Sequence, residues 1–158
     1  MRRLWLALCL VGEWGREGGA AKVNIAPCKF AAGTAPGEAG ELVEVDVEPC
    51  EEAPDGCTLH RGQRHQVRIR FTPGKEVTSY FASAELLING IRRKLEDIEA
   101  DGCQNSDCPL PASQQAEYST SLTVPDSHPK VAVRLKWTLR TGDEEHLACF
   151  LLRGNVDD

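Results

Sequence analysis

The chain has 158 residues and a formal charge of −6. That length suits a single domain, and the acidic balance argues against a general nucleic-acid binder. No apolar run approaches the ~20 residues of a membrane span.

The N-terminus departs from this soluble composition. Arg2 and Arg3 precede the apolar stretch Leu4 to Val11. A positive start and a short apolar core predict a secretory signal peptide over residues 1–21. Gly19, Ala20 and Ala21 supply small residues for cleavage, which places the mature start near Lys22. The charged stretch Gly12 to Gly18 leaves the cut open, and a disordered tail is the plainer alternative. Removing residues 1–21 takes away three arginines and two glutamates, so the remainder is one charge more acidic.

Cysteine parity agrees with a leader. Of seven cysteines, loss of Cys9 leaves Cys28, Cys50, Cys57, Cys103, Cys108 and Cys149. An even count in a small secreted domain implies a disulfide framework, with about fifteen pairings open by sequence alone. Spacing narrows them. Cys50 and Cys57 bracket one short loop, Cys103 and Cys108 another, and Cys28 is left for Cys149. The competing zinc reading is poor, because neither spacing is the C-x2-C of a zinc ribbon. No N-x-S/T triplet occurs, so N-linked glycans are not expected.

Lys22 to Ala26 predicts a short first strand, and Ala31 to Gly40, rich in Gly, Ala and Pro, a loop. Glu41 to Glu48 alternates Val43, Val45 and Val47 with acids, predicting a strand with one dry face and one acidic face. Cys50 to Cys57 reads as a closed polar loop. In His65 to Thr72, Val67, Ile69 and Phe71 face in while Arg68 and Arg70 face out. Val77 to Asn89 reads as a long strand with Tyr80, Ala82, Ala84, Leu86 and Ile88 on one face. A helix there is the alternative, given the propensity of Ala82 to Leu87. Asn89-Gly90 is a hairpin signal. Ile91 to Ile98 is too irregular for a clean strand. Gln115 to Val124 alternates again, with Tyr118 and Leu122 on the apolar side. Val131, Val133, Leu135, Trp137 and Leu139 alternate with polar or basic partners. The turn Thr141-Gly142-Asp143 then leads to a last strand from His146 to Arg153.

Seven or eight short strands without a convincing helix predict an all-β fold, an antiparallel two-sheet β-sandwich. Small inward residues at Ala82, Ala84 and Ala116, with only four phenylalanines in the chain, raise the prospect of an under-filled interior. An apolar void between sheets would suit a lipid; the plainer reading is an ordinary packed sandwich.

The motifs also carry a resemblance. Cys57-Thr-Leu-His-Arg-Gly62, Asn89-Gly90, Asp101-Gly102-Cys103, Cys108-Pro109-Leu110, Trp137 and Leu147-Ala148-Cys149 follow one another in an order that resembles the ML lipid-recognition family. Its secreted Niemann–Pick type C sterol carriers and group 2 mite allergens look most similar. The resemblance spans roughly Val23 to Leu152. It implies an immunoglobulin-like sandwich with three disulfides, paired as the spacing suggests, and an inter-sheet lipid cavity open at one end. It implies a lipid carrier, no enzyme and no cofactor. Tyr118 and Trp137 match the family's aromatic positions, with Val133 and Leu135 on the face of Trp137. Tyr80, Ala82, Ala84 and Leu86 match an inward strand, and Ile91, Leu95 and Ile98 an apolar segment beside the pocket mouth. Val67, Ile69, Phe71, Leu110 and Leu122 complete the candidate lipid contacts. The basic run Arg92, Arg93 and Lys94 departs from the family's apolar pattern and is a candidate for meeting a ligand head group or an anionic membrane. Arg68, Arg70, Arg134, Lys136 and Arg140 read as a solvated sheet face.

Catalysis finds no support. His60, His65, His128 and His146 are scattered among turns, and no G-x-S-x-G, H-E-x-x-H or phosphate loop is present. The expectation is a monomeric secreted protein that holds one sterol or fatty-acid-like ligand and carries it between membranes or acceptor proteins. It would meet a membrane surface or a membrane sterol-transport protein only transiently, without nucleic acid. The alternatives are an innate-immune module for microbial lipids or lipopolysaccharide, and a structural protein with a filled core. The expected location is extracellular, with the endosome or lysosome lumen as the alternative.

Overall fold

The computed structural model describes residues 21–54 and 56–158. The expected leader therefore lies, but for Ala21, outside the described residues, and so does Cys9. Strands β1 (Ala21–Lys22), β2 (Ile25–Pro27), β3 (Gly40–Glu48), β4 (Glu51–Ala53), β5 (Gly56–His60) and β6 (Arg64–Pro73) form the first half. Strands β7 (Tyr80–Ile88), β8 (Ile91–Lys94), β9 (Ala116–Thr123), β10 (Ala132–Thr141) and β11 (His146–Asp157) form the second. The only helical turn among the described residues is a 3-10 turn at Gly102–Gln104, capped by the Asp101 carboxylate accepting from the Cys103 amide.

Two sheets result. One has the order β1-β3-β6-β9; the other has β4-β5-β11-β10-β7-β8, with β2 also on β11. The long apolar–polar alternations dictate this layering, because each strand can bury one face only against a second sheet. Val45 and Val47 pair with Ile69 and Val67, which pair in turn with Tyr118 and Thr120. Facing them, Ala84 sits between strands beside Trp137, and Trp137 beside Phe150. Leu139 lies beside Ala82 and Ala148. Small residues are thus matched by large neighbours in register. Trp137, Tyr80, Tyr118, Phe71 and Phe150 are all fully buried, so side chains fill the inter-sheet space around them.

Val77 to Asn89 resolves as a strand over Tyr80–Ile88, not a helix. Asn89 and Gly90 both take positive φ (48° and 82°), the backbone that a two-residue hairpin of type I′ demands. Three expectations need correction. A register shift between Leu42 and Glu44 turns Val43 outward to 50% exposure, leaving Leu42 to cover the core. The polar loop between Cys50 and Cys57 contains a hairpin arm, β4 on β5. The last strand runs on to Asp157, where Gly154 to Asp157 pair with β5 in parallel. The disulfides join Cys28 to Cys149, Cys50 to Cys57 and Cys103 to Cys108, as the spacing suggests.

Candidate functional site

The inward faces of β6, β7, β9 and β10 bring together most of the candidate apolar residues. Val67, Ile69, Phe71, Tyr80, Ala84, Tyr118 and Trp137 are 0% exposed, while Ala82, Leu110, Leu122, Val133 and Leu135 are also buried. Leu86, Leu95 and Ile98 pack on this core from its margin. Ile91 does not join it, for it stands 61% exposed at the start of β8.

Polar groups inside this layer are held by specific partners. The Phe71 and Tyr80 rings meet edge-on at 5.5 Å, and Tyr80 and Tyr118 at 6.4 Å. The Tyr80 hydroxyl pairs with the Ser106 hydroxyl, and Ser106 donates to the Glu117 carbonyl at 2.7 Å. The Tyr118 hydroxyl donates to the Glu99 carbonyl. Burial pushes the Tyr118 phenol up to about 12, so it stays a neutral donor. The Trp137 indole N–H is buried without a partner. Buried donors are seldom left so, and this one faces the same layer as the candidate contacts.

Residues 95–101 strap the open side of the sandwich. The Leu95 amide donates to Ala84 O at 2.9 Å and the Ala82 amide to Ala100 O at 2.8 Å. The Glu99 amide donates across to Thr120 Oγ1 at 3.1 Å. The strap therefore bonds to both sheets.

Beside the β7–β8 turn lies an open pocket of about 310 Å3. Its apolar walls are Leu86, Ile88, Ile91, Pro125 and Pro129, and its polar ones are Asn89, Arg93, Ser127 and His128. The size falls at the lower end of small-molecule sites. Leu86 and Ile88 belong both to this pocket and to the margin of the core, so the pocket borders the inter-sheet layer. Sequence reasoning missed the wall from residues 125–129. Two prolines in a link signal a turn, but nothing in their spacing says that they face a hairpin ~35 residues earlier in the chain.

The basic residues sort by sheet. On the outer face of the β3-β6-β9 sheet, Arg68 pairs with Glu48 at 3.1 Å. Arg70 meets Glu44, Asp46 at 3.0 Å and Glu117 at 3.0 Å. On the other sheet Arg140 pairs with Glu144 at 2.7 Å, and Lys94 lies 3.7 Å from Glu96.

The four histidines form no common cluster, though His60 lies close enough to His65 to act on it electrostatically. His60 lies 3.0 Å from Glu51, and the His146 and Phe30 rings meet at a tilt of 54° with centroids 5.4 Å apart. His65 and His128 donate from Nδ1 to the carbonyls of Pro49 and Pro129, each at 2.8 Å. Burial lowers the His65 pKa, against the opposing effect of its bond to Pro49.

Comparison with known proteins places this architecture. The ML domain family model matches residues 22–154. NPC intracellular cholesterol transporter 2 of Mus musculus is 31% identical over 112 residues, covering 70% of this chain and 74% of its own. The Canis lupus familiaris protein of the same name is 28% identical over 149 residues, covering 94% of each chain. Mite group 2 allergen Lep d 2 of Lepidoglyphus destructor is 26% identical over 118 residues, covering 75% of this chain and 82% of its own. The crystal structure of a Niemann-Pick type C2 protein from Japanese carpenter ant shares the fold, with a TM-score of 0.69 at 19% identity. That match covers 81% of this chain and 100% of the other. This chain belongs to the ML-domain family.

Proposed function

We propose that the chain binds one apolar lipid, a sterol or a fatty acid, between its sheets and carries it between membranes or acceptor proteins. The observation that carries this reading is the apolar pocket at the end of the sandwich, set between the β7–β8 hairpin and residues 125–129. The relatives named as cholesterol transporters support it. Val67, Ile69, Phe71, Tyr80, Ala82, Ala84, Leu110, Tyr118, Leu122, Val133, Leu135 and Trp137 would form the inner lining. Leu86, Ile91, Leu95 and Ile98 would form its rim. Because side chains fill the layer, a ligand between the sheets would have to displace them. Burying a few hundred Å2 of lipid at about 25 cal/mol per Å2 yields several kcal/mol before binding costs, enough to drive that repacking.

Arg92 and Lys94, on the outer face of β8, would rest on an anionic membrane during transfer. The expected leader and three disulfides fit a secreted protein, with the endosome or lysosome lumen as the second location. Native mass spectrometry and lipid extraction of the secreted protein test the binding, and vesicle-to-vesicle transfer tests the carrying. A protein that takes up neither sterol nor fatty acid would sink the reading. Uptake without transfer would remove the carrier role alone.

A further inference from the structure

The β7–β8 register splits the basic run Arg92 to Lys94. Leu87 pairs with Arg92 and Glu85 with Lys94, whereas Leu86 pairs with Arg93 and Ile88 with Ile91. Successive residues of a strand point to opposite faces. Arg93 and Ile91 therefore share a side with Leu86 and Ile88, and these four residues line the pocket. Lys94 instead lines a groove with Ser83, Glu85, Lys136 and Thr138 on the outer face.

Arg93 is also unpaired. Among the described residues no carboxylate lies within 4.0 Å of its guanidinium. Arg61 meets Asp158, Arg68 meets Glu48, and Arg70 meets three carboxylates; Arg92, Arg134 and Arg153 also lack an ion pair among the described residues, but Arg93 alone of these lines the pocket. Opposite Arg93, His128 commits Nδ1–H to Pro129 O, leaving Nε2 uncommitted. The pocket wall thus carries one guanidinium, the polar side chains of Asn89, Ser127 and His128, and no acid.

We propose that this pocket selects a single-chain amphiphile ending in a carboxylate, a long-chain fatty acid, over a neutral sterol or alcohol. The inference rests on the lipid-binding reading and narrows its ligand. The Arg93 guanidinium offers parallel N–H donors that match a carboxylate's two oxygens. The acyl chain runs over Leu86 and Ile88 toward the inter-sheet layer. A hydroxyl at the same place gains no ion pair. Because Arg93 is exposed, solvent screens the pair, and the expected preference is only about five- to tenfold.

The test is displacement of a fluorescent fatty-acid probe by palmitic acid, hexadecanol and cholesterol at neutral pH. Wild-type protein should prefer palmitic acid to hexadecanol by about five- to tenfold, less at high salt. Arg93→Gln should bring that ratio close to one by weakening the acid far more than the alcohol. Arg134→Gln, which removes a charge from the outer face of the same sheet, should keep the ratio. Equal affinity for acid and alcohol in the wild type, or an undiminished ratio in Arg93→Gln, would overturn the inference while leaving lipid binding intact. Binding of none of the three would overturn the lipid-carrier reading, and this inference with it.

Discussion

His65 makes the fold sensitive to acid in a predictable direction. Its ring is 0% exposed, Nδ1 donates to Pro49 O at 2.8 Å, and Nε2 is buried without a partner. Burial is the largest influence and lowers the pKa from 6.5, so the folded ring stays neutral where an unfolded one takes up a proton. The sign follows from that difference: stability is complete above the unfolded pKa and is lost as pH falls below it. One proton taken up only by the unfolded chain sets a limiting slope of about 1.4 kcal/mol per pH unit. Integrated from pH 7 to pH 5, the loss reaches at most about 1.9 kcal/mol. That is a visible share of the ~5–15 kcal/mol of a typical domain. Urea unfolding followed by tryptophan fluorescence at the two pH values measures it. His65→Gln keeps an amide donor for Pro49 and removes the titration, so it should lose less stability than the wild type over the same interval. His146, lowered by burial and by Arg140 and Lys136, contributes in the same direction and accounts for part of what remains. Equal acid losses in wild type and His65→Gln would refute the reasoning.

Other perturbations test the frame of the sandwich. Replacing both cysteines of the Cys28–Cys149 bridge, which spans 121 residues, should cost about 4–5 kcal/mol in denaturant unfolding. Removing the Cys103–Cys108 bridge, which spans 5 residues, should cost about 2 kcal/mol. Equal losses would contradict the loop-entropy account. Arg70→Met leaves Glu44, Asp46 and Glu117 facing one another, with Asp46 only 7% exposed. It should lower stability by about 1–3 kcal/mol, with a positive coupling to Asp46→Asn in a double-mutant cycle. At Gly102 an added Cβ would run into the buried Tyr80 ring, so Gly102→Ala should lose about 1–3 kcal/mol; a neutral result in thermal unfolding would show that the ring can yield. Tyr118→Phe deletes the bond to the Glu99 carbonyl of the strap. It should cost about 1 kcal/mol and speed exchange of a loaded fluorescent lipid, measured by stopped flow.

Period-two alternation made the sheets legible where a strand is half-buried and regular. Val131 to Leu139 is the clearest case, and the burial of Val133, Leu135, Trp137 and Leu139 follows it residue by residue. The same rule misplaced Val43, because a bulge after Leu42 changes the phase and leaves no mark in composition. It also stopped the last strand at Arg153. The continuation to Asp157 depends on a parallel neighbour, β5, that is remote in sequence. The candidate contacts were legible as inward-facing positions, but their packing against one another was not. Ala84 looks like a void until register sets it beside Trp137. Which of Arg92, Arg93 and Lys94 faces the pocket is likewise a matter of hairpin register, which Asn89-Gly90 sets only once both flanking strands exist.

The two edges of the sandwich are fastened by different means. Cys50 lies in the short link from β3 of one sheet to β4 of the other and is bridged to Cys57 of β5, so that edge is held covalently. Cys28–Cys149 fixes β2 onto β11 within a sheet, and Cys103–Cys108 closes its own loop. None of the three bridges joins β7 or β8 to β9. There the sheets meet through residues 95–101, with two backbone bonds to β7, one amide bond to Thr120, the Tyr118 hydroxyl and the half-buried Leu95 and Ile98, and through Ser106, whose hydroxyl links the Tyr80 hydroxyl of β7 to the Glu117 carbonyl of β9. Each such hydrogen bond is worth only about 1 kcal/mol net, against the tens of kcal/mol needed to break a covalent bridge. The strap side is therefore the more weakly fastened of the two edges. The pocket beside the β7–β8 turn takes Leu86, Ile88, Ile91 and Arg93 from the two strands, β7 and β8, that border this side.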